Sequence, residues 1–122
     1  MTPVALPHHH GNEKNTAPLQ EQVQRIEAFQ QVSDIFKLLS DGTRIRIFWL
    51  LCHRELCVTN LSAMMEMSSP AVSHHLRQLK SSGLITSRRD GKEVYYQAVD
   101  TEQNRLLHLS IEQIMEITCP EK

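Results

Sequence analysis

Aromatic side chains are scarce: Phe29, Phe36, Phe48, Trp49, Tyr95 and Tyr96 are the whole set in 122 residues. That supply is too thin for the stacking platforms on which single-strand nucleic-acid binders lay successive bases. Cysteine is sparse as well, with Cys52, Cys57 and Cys119 only, and an odd count without a dense framework argues against a disulfide-stapled secreted domain. No leading apolar targeting segment and no transmembrane-length run is present. The expectation is a cytoplasmic protein with reduced thiols and no membrane partner. A strong basic excess is missing too, since the formal net charge is -1.

What charge there is falls unevenly. Between Pro70 and Lys92 stand Arg77, Lys80, Arg88, Arg89 and Lys92 against Asp90 alone, a local balance of +4. From Glu93 to Lys122 six acids face two cations, a balance of -4. A polyanion-facing surface and an acidic tail are therefore separate.

The basic stretch coincides with helix-turn-helix spacing. Asn60 to Met65 reads as a short helix capped by Thr59, with Met67-Ser68 as the turn. A second helix opens at Ser69-Pro70 and runs to about Lys80, with Ser69 as its N-cap and Pro70 at a position where a missing N–H costs nothing. Val72, Leu76 and Leu79 fall on one face and pack inward. Ala71, Ser73, His74, Arg77 and Gln78 are left outward, with Ser69 and His75 at the border; Arg77 lies about 140° from Val72 around the axis. Gly83 ends the helix. Val94, Tyr96 and Ala98 alternate with Tyr95, Gln97 and Val99, and Asp90-Gly91 favours a tight hairpin. The fold expected is mainly α with a β-hairpin wing, a winged helix-turn-helix.

Around this centre, residues 1–19 are rich in Pro, His and Asn and read as a flexible arm. Residues 20–119 form one domain whose terminal helices dimerise. A helix from Gln20 to Leu39 carries Phe29, Val32, Phe36 and Leu39 at helical spacing, and Thr43 to Cys52 forms a crowded apolar helix. Asp100 and Gln103 have capping-box spacing at the start of the last helix, where Leu107, Ile111 and Ile114 make an apolar seam beside a stripe of His108, Glu112, Met115 and Cys119. A small core with apolar terminal helices suggests a homodimer, whose two-fold symmetry suits a pseudopalindromic operator.

Three runs and the hairpin carry a family likeness: Ser40-Asp41-Gly42-Thr43-Arg44-Ile45-Arg46-Ile47, Glu55-Leu56-Cys57-Val58-Thr59-Asn60-Leu61, Ser69 to Lys80, and Arg88 to Tyr96. Over roughly Phe29 to Glu116 the chain resembles the ArsR/SmtB family of bacterial winged-helix repressors. The resemblance implies a homodimer that binds double-stranded operator DNA and leaves it when an inducer, foremost a metal ion, binds. The DNA-facing set is Ser69, Ala71, Ser73, His74, His75 and Arg77, with Arg88, Arg89 and Lys92 on backbone at the wing. His74 and His75 read equally as helix-packing residues.

Three inducer routes follow from the resemblance. Zinc sensors of the family use an acid, two histidines and a histidine or acid on the last helix; the matching positions are Asp100, Glu102, Gln113 and Glu116, so imidazole is absent from both histidine places. A second arrangement joins the arm to the Glu-Leu-Cys-Val run, with Cys57 and His8, His9 or His10 holding zinc or another soft metal. A third uses thiols without metal: Cys52 broadly matches one sensor cysteine, and Cys119 lies about one turn beyond the other. Nothing assembles an enzyme, because Ser73 and His74 point about 100° apart on their helix. A dimeric interaction module without operator binding is the alternative to the repressor.

Overall fold

The computed structural model describes residues 5–8 and 16–117. It divides into two compact units, Met1–Phe36 and Lys37–Lys122. The described part holds α1 (Ala17–Val23), α2 (Ile26–Leu38), α3 (Gly42–His53), β1 (Leu56–Cys57), α4 (Val58–Met65), α5 (Ser69–Ser81), β2 (Ile85–Asp90), β3 (Glu93–Ala98) and α6 (Glu102–Met115).

The helix expected from Gln20 to Leu39 is two helices. The Arg25 N–H bonds the Gln22 carbonyl at 3.0 Å, a tight turn that ends α1, and the Phe29 N–H then bonds Arg25 at 3.1 Å as α2 begins. No Gly or Pro marks this break, so the apolar spacing runs straight through it.

The larger unit is built on α3. Asp41 caps it, its carboxylate accepting from the Thr43 and Arg44 N–H groups at 2.8 and 3.1 Å. Ile47, Phe48 and Leu51 are its buried residues. Around them close Leu61 and Met65 of α4, Val72, Leu76 and Leu79 of α5, and Leu56, Leu84 and Ile85. The antiparallel sheet has the order β1-β3-β2. Its first strand, unexpected from the sequence, pairs Leu56 with Tyr96 and Cys57 with Tyr95.

That short strand corrects the start of α4. Cys57 is held extended by its pairing and occupies the cap position without a side-chain bond, so Thr59 sits inside the helix and does not cap it. At α5 the cap is Ser68, one residue before the expected Ser69, and its hydroxyl accepts from the Ala71 N–H at 3.3 Å. Ser69 instead meets Ser62, hydroxyl to hydroxyl, at 3.2 Å. The helix closes where expected: Gly83 has φ +85°, the Gly83 N–H bonds Lys80 and the Leu84 N–H bonds Leu79, with Leu79 and Leu84 both buried. In the wing, Asp90 pairs with Glu93, so the two-residue loop is Gly91-Lys92 and Gly91 takes the positive φ of 63°.

Helix α6 is capped by Thr101, which accepts from the Asn104 N–H at 3.1 Å. The expected cap, Asp100, pairs with Arg105 at 2.5 Å. The inward stripe of α6 is mixed: Leu107 and Ile111 pack on the core, Asn104 and Glu112 are buried, and Ile114 is 83% exposed. Asn104 donates to the carbonyls of Leu84 and Val99 at 2.9 and 2.7 Å, tying α6 to both ends of the hairpin.

Candidate functional site

Helix α5 is tied on one side to α4, where Ser69 meets Ser62 at 3.2 Å, and on the other to β2, where the Lys80 ammonium donates to the Ser87 hydroxyl at 2.7 Å. Val72, Leu76 and Leu79 bury one side of α5, leaving His74 and Arg77 exposed and Ala71 and Ser73 half-buried on the rest. His75 is half-buried, and its Nδ1 is buried without a hydrogen-bond partner, which places it closer to the packing face than its neighbour His74. Gln78, expected outward, is half-buried and accepts from Arg44, whose Nε also donates to the Leu38 carbonyl at 2.6 Å. Arg44 thus ties the start of α3 to the last turn of α5.

The wing cations differ in what they already hold. Arg88 forms a two-pronged bond to Glu55 at 2.7 and 2.6 Å and lies over the Tyr95 ring at 4.9 Å. The guanidinium beside Glu55 holds that carboxyl below its ordinary range. Among the described residues Arg89 donates only to the nearby Gly91 carbonyl, at 3.3 Å. Lys92 is exposed in the hairpin loop.

Cys57 is 6% exposed within β1, and His8 is exposed. Asp100 pairs with Arg105, Glu102 is exposed in the first turn of α6, and Glu116 is exposed in a left-handed conformation that ends the helix. His9, His10 and Cys119 lie outside the described residues. For Cys52, burial and then the Glu112 charge push the thiol up to about 12, so at neutral pH it carries its proton and is a weak nucleophile.

A different group converges between α3 and α6. His53, at the end of α3, and His108 and Glu112, one turn apart on α6, are the one set of three or more His, Cys, Asp or Glu side chains that are near enough to share a metal ion among the described residues. The His53 and His108 Nε2 atoms are 2.9 Å apart, and they lie 3.3 and 3.0 Å from Glu112 Oε2. Trp49 Nε1 donates to the same oxygen at 3.0 Å. Side-chain exposure is 8% for His53, 22% for His108 and 7% for Glu112. Burial pushes the Glu112 carboxyl up, but the Trp49, His108 and His53 contacts outweigh it and hold the group below the usual carboxylate range. The sequence pointed to His108 and Glu112 as a stripe; His53 had no signal, because only tertiary packing brings it to them.

Comparison with known proteins places this geometry. The profile of the arsR family of bacterial regulatory proteins matches residues 41–87. A cadmium resistance transcriptional regulatory protein CadC from Listeria innocua is 40% identical over 81 residues, covering 66% of this chain and 68% of that one. The chain belongs to the ArsR family. A transcriptional repressor SmtB homolog from Synechocystis sp. is 42% identical over 82 residues, 67% of this chain, and the matched part spans 62% of that relative's length. Among solved structures, the homodimeric winged helix-turn-helix DNA-binding domain of a possible ArsR-family regulator from Mycobacterium bovis is 27% identical, with a TM-score of 0.62, covering 88% of this chain and 91% of that one. The ArsR profile takes in His53, α4, α5 and the first residues of β2, whereas His108 and Glu112 lie beyond it. No described helix is long and apolar enough to cross a membrane.

Proposed function

We propose that this ArsR-family chain is a homodimeric repressor that binds double-stranded operator DNA and releases it when a metal ion binds. The observation that carries the reading is the outer face of α5: it exposes His74 and Arg77 while Val72, Leu76 and Leu79 anchor the helix, so the protruding residues are held at fixed positions. A helix so mounted suits a major groove, with Arg77 on a guanine edge or phosphate and Ser69, Ala71 and Ser73 beside it. Arg89 and Lys92 serve the backbone at the wing, and Arg88, already paired with Glu55, braces it.

Exposed apolar side chains support the dimer. On α2, Phe29, Val32 and Phe36 are 53, 46 and 64% exposed; on α6, Leu106, Leu109 and Ile114 are 63, 51 and 83% exposed. Each face is unfavourable in water and favourable against a second copy. A relative named as a cadmium resistance regulatory protein supports a metal ion as the class of inducer.

The test is binding of the purified chain to a duplex from its own promoter across a salt series. Affinity should fall steeply with salt, and Arg77→Ala should weaken it about 10–100-fold with the dimer intact. Equal affinity for unrelated duplexes would favour the dimeric interaction module.

A further inference from the structure

We propose that His53, His108 and Glu112 form a binding site for a divalent ion of the zinc kind, clamping the end of α3 to the inner face of α6, and that its occupancy is the signal that releases DNA. The second half rests on the repressor reading above; the first half stands on the geometry alone.

The triangle is poorly explained by hydrogen bonds. Each imidazole nitrogen offers one in-plane position, a proton or a lone pair, and so makes one good hydrogen bond. If both histidines donate to Glu112, two N–H groups confront each other across 2.9 Å. If one histidine donates to the other, both positions are occupied and the carboxylate oxygen, 3.0 and 3.3 Å away, receives neither. Every proton arrangement leaves an edge unsatisfied. A cation facing three lone pairs satisfies all of them.

The dimensions suit such an ion. Tetrahedral ligands at about 2.0–2.1 Å from zinc stand ~3.3 Å from one another, close to the 2.9, 3.0 and 3.3 Å edges found here. The side chains are also held in place. The His53 ring packs edge-on to His108 with centroids 4.6 Å apart, and Trp49 lies 4.4 Å from His53 while its indole N–H orients the carboxylate. On the far side of His108 lies a cavity of about 250 Å³, lined also by Cys52, Asp100, Asn104 and Arg105. Two imidazoles and a carboxylate without thiolate favour zinc or cobalt(II) over copper(I) or arsenite.

The position also reaches the DNA face. Helix α3 carries His53 at its end and, near its start, Arg44 on Gln78 of α5. A clamp on one end of α3 therefore acts on the helix that seats the recognition helix.

The test uses the full reduced chain with cobalt(II) and zinc. Cobalt titration should give intense tetrahedral d–d bands at one ion per chain, with a matching change in emission from Trp49, the sole tryptophan. His53→Gln and Glu112→Gln should each weaken zinc by at least about 100-fold. The amide oxygen introduced by Glu112→Gln keeps an acceptor for Trp49, and circular dichroism checks the fold. Cys57→Ser should bind as the wild type does, and zinc should release promoter duplex from it but not from the two site variants. No uptake by the wild type, or unchanged affinity in both site variants, would overturn the site. Release by zinc in variants that no longer bind it there would overturn its role as signal. Tight zinc binding by a chain that never binds its promoter would sink the repressor reading and leave the site standing.

Discussion

Helices α5 and α6 have similar lengths and both lie against α3, yet they use their inner faces differently. The inner face of α5 is hydrocarbon, with Val72, Leu76 and Leu79 at 0, 1 and 0% exposure, and its polar residues face out. The inner face of α6 buries Asn104 at 4% and Glu112 at 5%, with His108 between them, while Leu106 and Ile114 are exposed. On α5 the buried side fixes position and the proposed DNA contacts lie on the exposed side. On α6 the proposed metal ligands lie inside, where a polar group must find a partner on another element.

The sharpest way to break this contrast is to cut into the hydrocarbon side. Leu76→Ala, at a site closed on all sides, should cost about 2–5 kcal/mol of unfolding free energy through lost burial and the cavity left behind. Urea unfolding followed by circular dichroism reads it; a loss below about 1 kcal/mol would mean that α5 is not seated as described. The outward side of the same helix should behave oppositely. Arg77→Ala should leave the urea midpoint in place and weaken promoter binding by about 1–3 kcal/mol without altering zinc affinity. Glu112→Gln should do the reverse, losing zinc affinity and keeping metal-free promoter binding. If either variant lost both properties, the division of labour between the two helices would fail.

These contrasts bear on what the sequence can disclose. Helix α5 was legible because its period separates apolar from polar residues, and because Gly83 stops it at a positive φ of 85°. The wing was legible for the same reason, with a loop displaced by one residue to Gly91-Lys92. Helix α6 was half legible: its polar stripe could be seen, but a stripe of His108 and Glu112 reads the same whether it faces water or His53. The partner lies 55 residues away in sequence, and no local pattern carries that pairing. Membership of the ArsR family did not supply it either, since the last-helix ligand positions that the resemblance implies are Asp100, Glu102, Gln113 and Glu116, none of which belongs to the His53, His108 and Glu112 group.

A smaller effect separates the two serines at the start of α5. Ser68→Ala removes the hydroxyl that accepts from the Ala71 N–H and should cost about 1 kcal/mol. Ser69→Ala should stay within about 0.5 kcal/mol, since its hydroxyl only meets Ser62. Equal losses would return the cap to the position that the Ser-Pro pair suggests.

The smallest effect is electrostatic and lies at the other end of α3 from His53. The Asp41 carboxylate is held below its ordinary value of 3.8 first by the Arg44 N–H and, against burial, by the Thr43 N–H and the Arg44 and His75 charges. Protons therefore bind the unfolded chain more readily than the folded one between the depressed value and 3.8, and in that window stability rises with pH. The contribution is fully present above 3.8 and is lost as pH falls through the folded value. Asparagine caps a helix nearly as well but does not titrate. Asp41→Asn should therefore match the wild type in shape above about pH 5 and show a flatter decline below about pH 4. Thermal melts at half-unit pH steps on the metal-free chain read the difference, and parallel declines in the two proteins would show that Asp41 holds α3 by geometry alone.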